Sequence, residues 1–172
     1  MHTFEASISD SLSVEELRER LAGLSRLLDV TRTLAEEIDL DKLLETLARE
    51  ACIALDCDRA SLFPHDANPH HLYPRVATEL ELEEIRTRID QGITGYVART
   101  REVTNIADPY SDPRWNSSVD QRTGYRTRNI LAAPVASPHD QSLLGVLQLL
   151  NKRAAGFDSF DEDLIRAFSQ HA

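Results

Sequence analysis

The chain is short of cysteine, of positive charge and of long apolar runs, and each shortage excludes a class of protein. Its 172 residues contain two cysteines, which cannot build a disulfide framework. Cys52 and Cys57 lie five positions apart, a spacing typical of neither a zinc knuckle nor a Cys-x-x-Cys redox motif. We therefore predict that both cysteines are buried or half-buried residues without a chemical role.

Positive charge is scarce relative to negative charge. The sequence has 19 lysines and arginines against 29 aspartates and glutamates, which gives a net charge of -10. A general nucleic-acid-binding protein needs clustered positive charge to neutralise phosphates, so nucleic acid is not an expected partner. No apolar run is long enough to cross a bilayer, and the amino terminus lacks the basic and then apolar pattern of a signal peptide. These absences predict a cytoplasmic protein that does not bind membranes.

Motifs for catalysis, metal binding and phosphate loops are missing as well. No residues have the His-x-x-x-His or Glu-x-x-His spacing that places two metal ligands on one helix face. There is also no Gly-x-Gly-x-x-Gly or Gly-Lys-Ser loop to hold a phosphate. We therefore predict no catalytic residue, no metal site and no covalently bound cofactor.

The sequence does have a heptad stripe near its amino terminus. From Val14 onward, mostly apolar residues recur at alternating spacings of three and four, a pattern typical of a coiled coil. The stripe consists of Val14, Leu17, Leu21, Leu24, Leu28, Thr31, Ala35 and Ile38. It predicts a dimerising signalling helix over residues 14–38, preceded by a flexible stretch over residues 1–13. The alternative, in which the helix lies on its own domain, stays open because Leu27 and Val30 widen the apolar face.

The rest of the chain alternates helical and strand patterns, which predicts an α+β fold. A content of 41% hydrophobic and 28% charged residues suits one globular domain plus an extension. Helices are predicted over residues 40–55 and 92–100 and from Ser159 onward. Strands are predicted over 59–63, 72–78, 85–89, 102–106, 129–136 and 143–150, although residues 79–84 fit a helix equally well. We expect a central antiparallel sheet of about six strands flanked by helices.

The most informative stretch joins the last predicted strand to the last helix. It begins with Asn151-Lys152 and ends with Asp161-Glu162. We predict a capping box in which Ser159 accepts a hydrogen bond from the amide of Glu162, whose side chain reaches back. Asp161 suits the first helical turn because the helix dipole favours negative charge there. Lys152 is thereby aimed at Asp161, and we predict an ion pair at this corner.

The corner motif, Asn151-Lys152, then Phe157, then Asp161-Glu162, resembles the signature of the GAF domains in cyclic-nucleotide phosphodiesterases and adenylyl cyclases. Residues 92–98, Gly-Ile-Thr-Gly-Tyr-Val-Ala, and residues 123–131 also resemble that subset, in the same order. The resemblance implies a PAS-like GAF fold over residues 39–172, cut within its last helix. It further implies a sensor role in a larger signalling protein whose effector domain lies outside this chain.

The same resemblance implies where a cyclic nucleotide, cAMP or cGMP, would bind. The implied ligand-binding residues are Ser61 on the pocket floor, Ile93 and Thr94 at a helix start, Thr123 and Thr127 along a lid, and Gln148 beside the base or lid. The sequence departs from the pattern at two places: Ala77-Thr78 stands where related binders carry Phe-Asp, and Gln148 stands where they often carry an acid. The Lys152 and Asp161 pair is implied to be structural.

The residues themselves also favour a pocket for a small anion. The loop over residues 107–118 is long and rich in turn formers, and loops of this kind often act as lids. Arginines lie in and after it at Arg114, Arg122, Arg126 and Arg128. In the alternative, these arginines are surface residues paired with acids such as Asp112 and Asp120. Gln148 lies in an otherwise apolar strand, where a polar side chain usually needs a partner.

Two other functions stay open. A ligand-free GAF dimerisation module would explain the heptad stripe and the corner motif, and a GAF sensor could take a different small ligand. A free-methionine-sulfoxide reductase shares the fold but needs cysteines near the pocket, whereas Cys52 and Cys57 lie on or just after the first core helix. For the sensor, we expect ligand to close residues 107–127 and thereby to shift the packing of the flanking helices.

Overall fold

A computed structural model describes residues 13–34, 40–65, 71–72, 76–77, 87–88, 91–154 and 156–170. The helices are α1 (Val14–Leu34), α2 (Leu40–Ala54), α3 (Gly92–Thr100), α4 (Ser118–Thr123) and α5 (Ser159–Gln170). The strands are β1 (Cys57–Pro64), β2 (His71–Leu72), β3 (Val76–Ala77), β4 (Thr87–Arg88), β5 (Thr104–Ile106), β6 (Ile130–Ala136) and β7 (Leu143–Lys152). A 3-10 turn, Pro109–Ser111, lies between β5 and α4. No helix in these ranges is long and apolar enough to cross a membrane.

The α+β architecture with an antiparallel sheet is confirmed. Five strands form one sheet in the order β3-β1-β7-β6-β5, and β2 pairs with β4 separately. The single strand predicted over residues 72–78 is divided, because residues 76–77 pair with β1 whereas residues 71–72 pair with β4. The strand predicted over 85–89 therefore lies outside the main sheet. The predictions for residues 1–12, 35–39, 66–70, 73–75, 78–86 and 89–90 lie outside the described residues.

Strand β7 lies at the centre of the sheet because it is apolar on both faces. Leu147 and Leu149 pack into the main core with α2 and α5, whereas Val146 belongs to a smaller core under α3. Gly145 allows β1 to come close, since a Cβ at this position would meet the Phe63 carbonyl oxygen at 2.7 Å. The sheet thus separates a helical core on one face from the face that α3 covers.

Helix α1 packs on the domain along one edge and presents its heptad stripe to solvent. Gly23 is buried against Leu164 of α5, and Leu27 packs against the main core. The helix therefore lies on its own domain, as the alternative interpretation held. The apolar stripe residues with described side chains are nonetheless 44–72% exposed: Val14, Leu17, Leu21, Leu24 and Leu28. The coiled coil itself stays a prediction.

Candidate functional site

A row of side chains crosses the sheet on the face that α3 covers. The strand register places Ser61, Gln148, Ala132 and Thr104 opposite one another on successive strands. Residues directly opposite in antiparallel strands point to the same face. Ala132 packs in the smaller core with Ile93 of α3, which identifies the face. The structure thus brings Ser61 and Gln148 together as cross-strand partners beneath the helix that carries Ile93 and Thr94.

Gln148 is the polar side chain at the centre of this row. It is 7% exposed, and no hydrogen bond to its amide is formed by any residue in the described ranges. A side-chain amide offers two N–H donors and a carbonyl acceptor, and such groups are normally paired when buried. Its cross-strand neighbours in the row are Ser61 and Ala132. Gln148 is therefore the best candidate on this face for recognising a ligand.

The amino terminus of α3 lies beside the same face and has the features of an anion site. Gln91 is the N-cap residue, yet its side chain does not cap the helix, and the first turn contains no acidic residue. The first amide groups of a helix have no partners within it, and the helix dipole adds positive potential there. Gly92 has a φ of 69°, a left-handed conformation that favours glycine. A negatively charged group near Ile93 and Thr94 would be stabilised by this arrangement.

The long loop after β5 folds onto α3, and its role as a lid stays a prediction. Arg114 makes a two-pronged ion pair with Asp112 at 2.9 and 2.6 Å, and its guanidinium group lies 4.3 Å from the centre of the Tyr96 ring on α3. This pairing holds the pKa of Asp112 below its usual range. Trp115 packs against the smaller core, and its indole N–H is buried without a partner among the described residues. That N–H is a further donor on this side of the molecule that a ligand could use.

Asp120 organises the end of the lid segment, and sequence reasoning missed it. Its buried carboxylate accepts hydrogen bonds from the Thr127 amide at 2.7 Å, the Thr127 hydroxyl at 2.9 Å and the Tyr110 hydroxyl at 2.8 Å. The bond to Asp120 raises the pKa of Tyr110. Thr127 is thus buried with its hydroxyl hydrogen directed at Asp120. Thr123 is exposed at the end of α4 and donates to the Val119 carbonyl oxygen at 2.9 Å.

The arginines of this region do not converge into one anion pocket. Three of them have partners of their own: Arg114 pairs with Asp112, Arg126 lies 4.8 Å from the Tyr110 ring centre, and Arg128 donates to Asp58 at 3.4 Å. Arg122 is exposed on α4. The alternative interpretation, in which these arginines are surface residues paired with acids, therefore describes Arg114 and Arg128 better. The helix amino terminus is a better candidate for holding an anion.

The corner between β7 and α5 contains the ion pair that the motif suggests. Lys152 Nζ donates to the two carboxylate oxygens of Asp161 at 2.6 and 2.5 Å. The capping box lies one residue earlier than the sequence pattern indicated, so the box predicted for Ser159 and Glu162 was wrong. Asp158 accepts from the Asp161 amide at 3.0 Å, and Asp161 accepts from the Asp158 amide at 2.8 Å. Aspartate is as favourable an N-cap residue as serine, and Asp158 directly precedes Ser159, the first residue of α5.

Two asparagines attach the end of the lid segment to this corner. Asn151 Nδ2 donates to the Tyr125 hydroxyl at 2.7 Å and to the Arg126 carbonyl oxygen at 3.0 Å, and its Oδ1 accepts from the Arg128 amide at 2.6 Å. Asn129 Oδ1 accepts from the Lys152 amide at 2.9 Å. Asn151 therefore holds residues 125–128 while the next residue, Lys152, holds α5. Of the two asparagines, only Asn151 was indicated by the sequence, because it belongs to the corner motif; nothing in the sequence indicated the role of Asn129.

The remaining motif residues stabilise the same corner from the sheet edge. Asn105 on β5 donates to the Phe157 carbonyl oxygen at 3.0 Å and to the Glu162 carboxylate at 2.9 Å. Glu162 thus contacts the edge strand, and the Phe157 side chain is buried in the main core. Within the described ranges, no group of three or more His, Cys, Asp or Glu residues could hold a metal ion.

Comparison with known proteins agrees with this architecture. The family model for the GAF domain matches residues 39–172. A probable 3',5'-cyclic phosphodiesterase, pde-5 of Caenorhabditis elegans, is 33% identical over 98% of this chain and 25% of its own length. A cGMP-specific 3',5'-cyclic phosphodiesterase of Drosophila pseudoobscura pseudoobscura is 30% identical over 95% of this chain and 16% of its own length. The chain thus spans a quarter or less of these relatives.

Solved structures show the same fold at lower identity. The GAF domain of a phosphoenolpyruvate-protein phosphotransferase (ptsP) from Coxiella burnetii superposes with a TM-score of 0.77 at 21% identity, over 88% of this chain and 90% of that one. A free methionine-R-sulfoxide reductase from Neisseria meningitidis superposes with a TM-score of 0.70 at 19% identity, over 99% and 95% of the two chains. The family match and the relatives together show that this chain belongs to the GAF domain family.

Proposed function

We propose that this regulatory GAF domain senses a cyclic nucleotide, cAMP or cGMP, on the sheet face that α3 covers. The observation that carries the proposal is Gln148, a polar residue that is 7% exposed and makes no side-chain hydrogen bond within the described ranges, at the centre of that face. The relatives are named as a probable 3',5'-cyclic phosphodiesterase and a cGMP-specific 3',5'-cyclic phosphodiesterase, which supports this class of ligand. The domain would serve as the sensor of a larger signalling protein, and its own residues would bind ligand without transforming it.

The face offers a complementary group for each part of such a ligand. The cyclic phosphate carries one negative charge, which the uncapped amino terminus of α3 at Ile93 and Thr94 would stabilise. The Gln148 amide both donates and accepts, so it can pair with the polar edge of either purine. Ser61, directly opposite on β1, adds a hydroxyl group to the floor. The indole N–H of Trp115 supplies a further donor from the lid side.

Transmission would use the contacts at the corner. We propose that ligand orders residues 107–127 over the pocket, and that Asn151 and Lys152 carry the change to α5 through their bonds to residues 125–128 and to Asp161. Helix α1 contacts the same end of α5, because Arg20 donates to Asp158 at 3.1 Å. Two copies of the chain would pair in parallel through the heptad stripe of α1, and ligand would shift the population of their packing arrangements.

Calorimetry with cAMP and cGMP tests the binding proposal. We expect heat of binding with at least one nucleotide and a change in the emission of Trp115, the single tryptophan of the chain. Gln148→Leu should weaken binding about tenfold or more, because a buried hydrogen bond to the ligand is lost. Gln170→Leu is the matched control, since Gln170 is exposed on α5 and should leave affinity unchanged. Absence of any heat at millimolar nucleotide would reject the proposal.

The exposed stripe on α1 favours a second candidate, a ligand-free dimerisation module. This function needs only the apolar residues 14–28 and the corner that supports the helix. Light scattering of the chain and of a variant lacking residues 1–38 separates the two functions when combined with calorimetry. A dimer that depends on residues 1–38 but binds neither nucleotide would identify the module. An unchanged dimer after the deletion would exclude α1 as the dimer interface.

A further inference from the structure

The two cysteines of the chain come into contact at the turn between α2 and β1. Cys52 lies in the last turn of α2 and Cys57 is the first residue of β1. Their sulfur atoms are 3.4 Å apart, and Cys57 donates to Cys52. The turn reverses the chain because Asp56 adopts a left-handed conformation, with a φ of 46°. The prediction that these cysteines are bystanders rested on their spacing, which does not reveal this contact.

The two thiols differ in a way that suits sequential oxidation. Cys52 is half-buried whereas Cys57 is buried. The hydrogen bond from Cys57 lowers the pKa of Cys52, and the charge of Arg153 acts in the same direction, against opposing effects of burial, Asp58 and Asp56. The pKa of Cys57 is raised because it donates that hydrogen bond and because it is buried. The more accessible sulfur is therefore the better nucleophile, since the thiolate is the reactive form.

We propose that Cys52 and Cys57 are a thiol redox switch that forms a reversible disulfide on reaction with a hydroperoxide. The Cys52 thiolate attacks the peroxide, the O–O bond breaks, and Cys52 becomes a sulfenic acid as water or an alcohol leaves. Cys57 then loses its proton and attacks the Cys52 sulfur, the S–O bond breaks, and a water molecule leaves. The peroxide gains two electrons and the two thiols lose them. The sulfurs must approach from 3.4 Å to a bonded distance of about 2.05 Å.

This switch would act on the corner from the side opposite to the ligand face. Cys57 packs in the main core with α2 and α5, and in the sheet it is the cross-strand partner of Lys152. Arg153 directly follows Lys152, the last residue of β7. Its amide donates to the Asp56 carbonyl oxygen at 2.9 Å, and its guanidinium group donates to the Asp56 carboxylate at 3.0 Å. A new covalent bond across this turn therefore changes the segment that supports the Lys152 and Asp161 pair. This effect of the disulfide would not require a bound nucleotide.

Mass spectrometry of the purified chain tests the proposal. The reduced protein is treated with hydrogen peroxide, unfolded, labelled with N-ethylmaleimide and weighed intact. We expect oxidised protein to lose two hydrogen atoms and to take no label, and dithiothreitol to restore two labels. Because the chain has two cysteines, an intramolecular disulfide can only join Cys52 to Cys57. Full labelling after peroxide, or a covalent dimer on a non-reducing gel, would overturn the proposal.

Two variants distinguish the roles of the sulfurs. Cys57→Ser should stop at a sulfenic acid on Cys52, which a dimedone probe captures. Cys52→Ser should react with peroxide at least about tenfold more slowly, because Cys57 is buried and protonated. Equal thiol loss in Cys52→Ser and the unaltered chain would also contradict the proposal. Circular dichroism confirms that each variant is folded, and Cys57→Ala replaces Cys57→Ser if the buried hydroxyl group prevents folding. Nucleotide calorimetry on the same samples is a separate readout.

Discussion

Substitution of Lys152 tests how much the corner contributes to stability. In Lys152→Met, the Asp161 carboxyl group loses its cation but still accepts a hydrogen bond from the Asp158 amide. Asp161 is 3% exposed, so its charge would remain buried. Removing one partner of a buried ion pair costs about 3–5 kcal/mol, because the remaining charge stays buried. Since one amide donor remains and the Lys152 side chain is itself 18% exposed, we expect the lower end of that range, about 3 kcal/mol at neutral pH.

The loss of stability in Lys152→Met should shrink in acid. Burial raises the pKa of Asp161 above its ordinary value, and removal of Lys152 raises that pKa further. A carboxyl group with a higher pKa in the folded than in the unfolded protein stabilises the fold fully below the unfolded pKa of about 3.9. This stabilisation is lost as pH rises through the folded pKa. The free energy of unfolding of the variant should therefore be close to that of the unaltered chain at about pH 4 and clearly lower than it at about pH 7.

Urea denaturation followed by circular dichroism at both pH values measures this difference. Lys42, the other lysine of the chain, is exposed on α2 and provides the matched variant Lys42→Met. We expect that control to change the free energy of unfolding by less than about 0.5 kcal/mol at either pH. The reasoning fails if Lys152→Met loses no more stability than the control at neutral pH. It also fails if the loss is the same at both pH values, since a buried charge must titrate.

Three further predictions concern the lid, the dimer and the thiols. Asn151→Ala should destabilise the fold by about 2 kcal/mol and speed hydrogen exchange at residues 125–128, because three partly buried hydrogen bonds are lost; Asn151→Gly shows whether the φ of 58° contributes separately. Leu21→Lys should shift a dimer toward monomer in light scattering, whereas Ser25→Lys on the same helix should not. The rate of Cys52 alkylation should rise with pH around a midpoint below the ordinary thiol value of about 8.5, and a midpoint above that value would contradict the assigned thiolate.

Much of the fold follows from hydrophobic periodicity in the sequence. The long apolar runs of β6 and β7 are buried or half-buried, as are Leu47, Ala48 and Ala51 on α2, and the structure has these elements where their patterns indicate. The contact between Lys152 and Asp161 could also be predicted, because Lys152 ends a strand and Asp161 lies in the first turn of the helix that follows. The position of the capping box could not, since Asp158 with Asp161 and Ser159 with Glu162 both fit the pattern. One residue of helix length decides between them.

The features that escaped prediction depend on backbone conformations that sequence signals poorly. Asp56 and Asn151 adopt left-handed conformations that are usually associated with glycine. The turn at Asp56 brings two thiols together across a spacing that has no motif. The role of Asp120 as an acceptor for Thr127 and Tyr110 likewise needs α4, the 3-10 turn and the loop before β6 to be placed first. Such contacts between distant segments have no local signature.

The strengths of successive contacts indicate how a signal would divide between the two terminal helices. Asp161 is buried with Lys152, so α5 is held firmly to β7 and through Asn151 to residues 125–128. The Arg20 and Asp158 pair that joins α1 to α5 has side chains 31% and 51% exposed, and exposed pairs contribute about 0–1 kcal/mol. Helix α5 should therefore move with the sheet, whereas the Arg20 and Asp158 pair between α1 and α5 can break at little cost. We expect Arg20→Ala to leave stability within about 1 kcal/mol while weakening any effect of ligand on the dimer; an unchanged ligand effect would exclude this contact as the route.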